Sequence, residues 1–275
     1  MTFDTFLIAV ILGLVEGLTE FLPVSSTGHL IVAASLLDFS GEHSITFFIA
    51  IQLGSILAVC WEFRKRLIHI ALTLGSEKNS QRLVFNLLVA MMPAVVIGVM
   101  IKHFLETHLF SPVPVACALI VGALIIFIAE KRYTANPQKI YIHSLDDIGW
   151  RDALKVGLAQ CLAMIPGTSR SGATIIGALF FGFSRVAATE FSFFLAIPVM
   201  FATTVYALYD TPAPLQSEHW LFLGVGFISA FIFAFLCVRW LLRYISRHDF
   251  KIFAWYRLAF GLFILVTSGS GLIQW

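Results

Sequence analysis

Glu16 and Glu20 stand four residues apart in the apolar stretch near the start of the chain. On a helix that spacing puts both carboxylates on one face. Inside a membrane they repel, and each is costly to leave charged without a partner. A bound divalent cation, a shared proton or a cationic partner would resolve the conflict. The next residues are Pro23-Val24-Ser25-Ser26-Thr27-Gly28-His29. Pro23 ends the preceding helix because it has no amide to donate. Ser25, Ser26 and Thr27 are good N-cap residues for a second helix starting near Gly28, whose free amides favour an anion. His29 is the one histidine well inside apolar sequence. A lone buried histidine is often a satisfied core residue. Beside two carboxylates and three residues after Ser26, it reads as a general acid or base.

A second segment, Pro166-Gly167-Thr168-Ser169-Arg170-Ser171-Gly172-Ala173-Thr174, repeats the design: a break, glycines, hydroxyls, then a new helix. It adds Arg170, read as the one arginine deep in apolar sequence. A guanidinium there needs an anion, and its fork suits phosphate oxygens as well as a carboxylate such as Glu16 or Glu20. The Gly-Lys-[Ser/Thr] ending of a nucleotide-binding loop is absent. Carboxylates, hydroxyls, one histidine and one arginine suit hydrolysis of a phosphate ester or anhydride, where positioning and charge stabilisation do most of the work. The apolar setting points to a substrate with a phosphate head and an apolar tail.

The two segments are copies of one another. GLVEGLTEFLPVSSTGHL (13–30) aligns without a gap with GLAQCLAMIPGTSRSGAT (157–174), and TFFIAIQLGSILAV (46–59) with SFFLAIPVMFATTV (192–205). Broken apolar segments at matching places in two halves point to a binding site at the membrane midplane. The chain is 59% hydrophobic and 12% charged, against roughly 25% charged in soluble domains, so it reads as an integral membrane protein. Its basic residues form no stripe with aromatics, and nucleic acid is not implied. Cys60, Cys117, Cys161 and Cys237 show no paired spacing and read as buried thiols. The N-terminus lacks the basic start of a signal peptide.

Six stretches are long enough to cross a bilayer: roughly 44–62, 84–101, 112–129, 189–208, 220–240 and 253–273. Segments 4–37 and 151–183 read instead as hairpins that enter and leave by one face. The fold class is therefore all-α, with six transmembrane helices and two re-entrant helical hairpins, ten helical segments in all. Residues 1–135 form one repeat, 151–275 the other, and 136–150 a cytoplasmic linker within a single membrane domain. Three spans per half give an inverted-topology repeat. Charge agrees with this parity. Arg64, Lys65, Arg66, Lys78 and Arg82 follow the first span; Lys131, Arg132, Lys139 and Arg151 follow the third; Arg239, Arg243, Arg247 and Lys251 follow the fifth. Loop 102–111 holds only Lys102, and loop 209–219 holds no Lys or Arg. Both termini are expected outside, with the hairpin tips meeting near the midplane. Glu190 reads as structural or as part of a cytoplasmic gate.

These motifs resemble those of the undecaprenyl-diphosphate phosphatase family, the bacitracin-resistance proteins. The family's Glu (or Gln), three residues, then Glu matches Glu16 to Glu20, and its Pro-Gly-x-Ser-Arg-Ser-x-x-Thr matches Pro166 to Thr174. PVSSTGH (23–29), IQLGSILAV (51–59) and ATEFSFFLAIP (188–198) also read as family sequence. The resemblance implies hydrolysis of undecaprenyl diphosphate to the monophosphate carrier and inorganic phosphate, which serves peptidoglycan synthesis and bacitracin resistance. It implies a Mg²⁺ or Ca²⁺ cofactor, a homodimer, and a multi-pass protein of the bacterial cytoplasmic membrane with its active site facing the periplasm.

On this reading Arg170, with Ser25, Thr27, Ser169, Ser171 and Thr174, holds the phosphates, while Glu16 and Glu20 bind the cation or Glu20 orients the nucleophile. Ser26 with His29 as base, His29 itself and a metal-activated water remain alternative nucleophiles. A polyprenyl-phosphate flippase or secondary transporter is the rival reading, favoured by inverted repeats in general. A channel is disfavoured by spans almost free of polar residues.

Overall fold

A segment that is apolar on every side, with no water to satisfy its backbone, must close its own hydrogen bonds as a helix. The computed structural model, which describes residues 3–39, 42–109, 111–210 and 220–270, is built in this way. Six helices are long and apolar enough to cross a membrane: α3 (Glu42–Glu62), α5 (Lys78–His108), α6 (Pro112–Ala135), α9 (Arg185–Asp210), α10 (Trp220–Ile245) and α11 (Lys251–Ser270). Four shorter helices make two pairs: α1 (Phe3–Thr19) with α2 (Ser26–Leu36), and α7 (Trp150–Gln160) with α8 (Arg170–Phe180). At 11 residues each, α2, α7 and α8 are about 16 Å long, roughly half the hydrocarbon thickness.

The structure adds a helix where the sequence reads as loop. Arg64–Thr73 is helix α4, which lies on the surface and buries none of its residues. It contains no Gly or Pro to stop it, and only its charge kept it from reading as a span. For the same reason α5 starts at Lys78 and runs on to His108, beyond both ends of the 84–101 stretch, with Pro93 inside it. Loop 209–219 beyond residue 210, residue 110 and the end of the last span beyond residue 270 lie outside the described residues.

The halves exchange partners. α1 packs along α10, and α7 packs along α5, so each short arm rests on the middle long helix of the other half. Small residues permit the first contact. A Cβ on Gly13 would stand 2.6 Å from Gly226 O, and one on Gly17 would stand 2.6 Å from Ala230 O. This Gly-x-x-x-Gly stripe lets the two backbones approach closely. Ser229 Oγ and Cys237 Sγ then donate to the carbonyls of Val10 and Leu18 at 2.9 and 3.2 Å.

A polar clamp secures the end where α6, α9 and α11 meet. Glu130 on α6 is fully buried. It pairs with Arg185 at the start of α9 and accepts the Phe250 amide at 2.9 Å. The linker is tied down as well: Arg82 Nε and Asn86 Nδ2 both donate to Ile148 O, at 3.1 and 2.8 Å. Of the cysteines read as buried, Cys237 is buried but Cys117 is exposed on the surface of α6; an apolar outer surface tolerates a thiol facing outward as readily as inward.

Candidate active site

The connections α1–α2 and α7–α8 converge on one cavity of about 910 Å³. Glu16, Glu20, Ser25, Ser26 and Thr27 enter it from the first, and Ser169 and Arg170 from the second. Ile31, Phe48, Ile49, Val199 and Met200 extend the same space as an apolar flank.

The two tips share a backbone device. Ser25 and Ser169, which align in the sequence copies, are the N-caps of α2 and α8 and adopt φ of 75° and 74°. A non-glycine residue at positive φ is uncommon, and such strain persists only where the surroundings hold it. Ser169 Oγ caps α8 by accepting the Gly172 amide at 3.1 Å, whereas Ser25 makes no such side-chain cap. α2 therefore starts at Ser26, two residues earlier than the sequence reading placed it.

The charged centre is a chain of three residues. Ser26 Oγ donates to Glu20 Oε2 at 2.5 Å. Arg170 Nη2 donates to Glu20 Oε1 at 3.2 Å. Arg170 also reaches Ser192 O at 3.3 Å through Nη1, and its guanidinium lies 5.7 Å from the Phe21 ring centroid. Its Nε is buried and lacks a partner among the described residues. Glu16, 2% exposed, stands in the last turn of α1, its carbonyl accepting the Glu20 amide at 2.9 Å just past the helix end, and lines the same cavity.

The remaining residues singled out by sequence stand elsewhere. Ser171 is fully buried and donates to Leu22 O at 2.7 Å; Thr174 shares a hydrogen bond with Ser192 Oγ at 2.6 Å. They pin α8 to the first tip and to α9, and do not line the cavity. His29 also lies off the cavity wall. Its Nδ1 is 2.7 Å from Ser25 O, and its Nε2 is 2.7 Å from Tyr256 Oη. A nitrogen facing a carbonyl must carry the proton, so Nε2 accepts from the Tyr256 hydroxyl. The ring stacks on Phe260 with centroids 4.0 Å apart. The partner of Ser26 is thus Glu20, and His29 braces the strained turn.

Comparison with known proteins gives the same direction. Residues 9–263 match the family model described as bacitracin resistance protein BacA. The chain belongs to this family. It is 55% identical over 274 residues to the undecaprenyl-diphosphatase of Nitrosospira multiformis, covering 99% of each chain. It is 59% identical over 268 residues to undecaprenyl-diphosphatase 2 of Rhodospirillum rubrum, covering 97% of this chain and 96% of that one. It is 54% identical over 283 residues to the undecaprenyl-diphosphatase of Cupriavidus metallidurans, covering 97% of each.

Two residues of this bacitracin resistance family member escaped the sequence reading. Arg257, not Arg170 alone, is an arginine deep in apolar sequence, and at 1% exposure it is the more buried. All its donors end on carbonyls: Nε on Leu119, Nη1 on Pro23 and Thr168, Nη2 on Ala118 and Gly167, at 2.9 to 3.2 Å. It joins both tips to α6. Gly167 makes this approach possible: its φ is 92°, and a Cβ there would collide with Val115 O. The second is Gln160, 2% exposed on the cavity wall with neither amide atom partnered. Its alignment with Glu16 was the available signal.

The donor set fits a hard divalent cation. Glu16 and Glu20 offer carboxylate oxygens; Asp38 lines the same cavity, but among the described residues no third carboxylate, histidine or cysteine clusters with the pair. Mg²⁺ is commonly held by one or two carboxylates, with water and substrate phosphates completing its shell.

Proposed function

We propose that this protein hydrolyses undecaprenyl diphosphate to undecaprenyl phosphate and inorganic phosphate, recycling the lipid carrier used in peptidoglycan synthesis. The observation that carries this reading is the Ser26–Glu20–Arg170 chain inside a cavity with an apolar flank. Relatives that cover nearly the whole chain bear the name undecaprenyl-diphosphatase.

The diphosphate enters between the tips with its prenyl chain along Ile31, Phe48, Ile49 and Val199. Arg170 shifts from its carboxylate partner toward the phosphate oxygens. Ser25, Thr27 and Ser169 offer hydroxyls on the same wall. Ser26 Oγ attacks the terminal phosphorus, and its proton passes to Glu20 Oε2. The P–O bond to the inner phosphate breaks, and undecaprenyl phosphate leaves. The leaving phosphate carries off the proton that Glu20 had taken, so Glu20 is again a carboxylate. It then takes a proton from water as the water oxygen attacks phosphorus, and returns it to Ser26 Oγ as the Ser26–phosphate bond breaks and inorganic phosphate leaves. His29 holds the Ser25 carbonyl and so fixes Ser26 on the strained turn. Glu16 and Glu20 are the residues that would hold Mg²⁺ or Ca²⁺, which would neutralise phosphate charge.

In the membrane, we read α1–α2 and α7–α8 as re-entrant hairpins from opposite faces in an inverted repeat. The loop charges support a cytoplasmic linker and both termini outside, and the family resemblance supports a cavity open toward the periplasm. A homodimer is part of the proposal. The test is phosphate release from C55 diphosphate by purified protein, with and without EDTA. Release that requires a divalent cation, and that Glu20→Gln lowers about 10²- to 10⁴-fold, supports the reading. No release by folded wild-type protein sinks it.

A further inference from the structure

A second cavity, about 400 Å³, lies at the end of α8 away from Arg170, where the linker crosses the α7–α8 pair. Three cations stand on its rim: Arg132 in the last turn of α6, Lys139 in the linker and Lys155 on α7. Lys155 is neutralised by Asp152 at 3.0 Å. Arg132 and Lys139 have no carboxylate partner among the described residues. The nearby linker acids are engaged elsewhere: Asp146 faces Arg66 at 3.5 Å, and Asp147 accepts from His143 and Ser144. The floor is aromatic, with the Arg132 guanidinium 5.7 Å from the centroid of Phe180 and Lys155 Nζ 6.0 Å from that of Phe181.

The wall is fixed rather than loose. The Tyr141 and Ile142 amides both donate to Gly182 O, at 3.0 and 3.1 Å, and the Ser184 amide donates to Ile142 O at 2.8 Å. Gly182 has φ of 89°, and a Cβ there would stand 2.8 Å from Lys139 O. Cations at the cytoplasmic ends of spans are ordinary topological signals. Two of them left without carboxylates, one of them (Arg132) over an aromatic ring, on the rim of a hydrogen-bonded pocket, are a recognition surface. Its pairing of charge with apolar wall matches a ligand that carries both, and basic pockets between membrane helices take anionic lipid headgroups.

We propose that this pocket binds the phosphate of an anionic membrane lipid, with Arg132 and Lys139 on its oxygens and the acyl chains beside Leu179 and Phe180. The proposal does not depend on the phosphatase reading. Purified full-length protein would be titrated with phosphatidylglycerol, phosphatidylcholine and inorganic phosphate, and bound lipid counted by native mass spectrometry beside thermal unfolding. Wild-type protein is expected to retain and be stabilised by phosphatidylglycerol in preference to the other two. Each cation contributes about fivefold to such binding, so Arg132→Gln/Lys139→Gln should weaken it about twenty-five-fold. Arg243→Gln/Arg247→Gln, which removes two exposed charges elsewhere, should leave it unchanged. If the double variant does not fold, Lys139→Gln alone, at an exposed position, should show the fivefold loss. Wild-type binding by the pocket variants, an equal loss in the control pair, or inorganic phosphate binding as tightly as the lipid would each overturn the proposal.

Discussion

The Ser26 hydroxyl lies 2.5 Å from Glu20 Oε2 while Arg170 holds the opposite oxygen. One carboxylate thus accepts from the proposed nucleophile and from the proposed phosphate-binding cation together. Glu20→Gln keeps the shape but leaves a neutral amide that is a poor proton acceptor. Turnover should fall about 10²- to 10⁴-fold, the usual worth of a positioned base. Ser26→Ala should abolish turnover, together with an acid-stable phosphoenzyme trapped from wild-type protein. An acid-labile adduct that survives Ser26→Ala would put the phosphorus on a histidine instead.

Arg170→Lys tests whether a fork or only a charge is needed. The guanidinium bridges Glu20 and Ser192 through Nη2 and Nη1. A lysine keeps the charge but not the planar set of donors. Phosphate release should drop at least about tenfold, the equivalent of one lost charge-assisted bond. Near-normal turnover would take Arg170 out of the phosphate site.

His29 is expected to act through position. Its Nδ1 donates to Ser25 O, and its Nε2 accepts from Tyr256. Tyr256→Phe removes one neutral hydrogen bond, worth about 1 kcal/mol, so turnover should stay within about tenfold of wild type. His29→Gln, which can still donate to a carbonyl, should retain more activity than His29→Ala. If all three variants are as inactive as Ser26→Ala, His29 takes part in proton transfer.

How much of this was legible in sequence depended on whether a residue's role was local. Glu16, Glu20, Ser25, Ser26, Thr27, Ser169 and Arg170 were readable because each is chemically out of place in apolar sequence and sits at a helix break. They do line one cavity. The Ser26 hydrogen bond to Glu20 was not readable, because three-residue spacing to His29 says nothing of how a strained turn rotates a hydroxyl. Arg257 was hidden inside an unbroken span, and its five acceptors are main-chain carbonyls with no signature in side-chain types. Helix α4 was missed because charge interrupts hydropathy without interrupting a helix.

The linker offers a pH dependence. Amides of His143 and Ser144, then the Ser144 hydroxyl, donate to Asp147 and hold its carboxyl below the usual aspartate range. A lowered folded-state pKa means the contribution is complete above the unfolded value, about 3.9. It is lost as pH falls through the lower folded value. Amide exchange at His143 and Ser144, corrected for intrinsic rates, should keep its protection at pH 5 and lose it only below the ordinary aspartate range. Protection already lost at pH 5 would contradict this account, and Asp147→Ala should remove the dependence.

Arg257 bears on both tips at once. Its five bonds reach Pro23 in the first tip, Gly167 and Thr168 in the second, and Ala118 and Leu119 on α6. Lysine has three donors for these five carbonyls, so at least two are left buried and unmet. At about 1–3 kcal/mol each, Arg257→Lys should cost about 2–6 kcal/mol of stability. The charge is retained, so any loss reports geometry rather than electrostatics. Thermal unfolding in detergent should show a clear fall in Tm. In protein still folded at the assay temperature, kcat should fall more than KM rises, because the tips no longer hold Ser26 and Arg170 in register. An unchanged Tm would mean that the tips are held by their own contacts, chiefly Ser171 to Leu22 O.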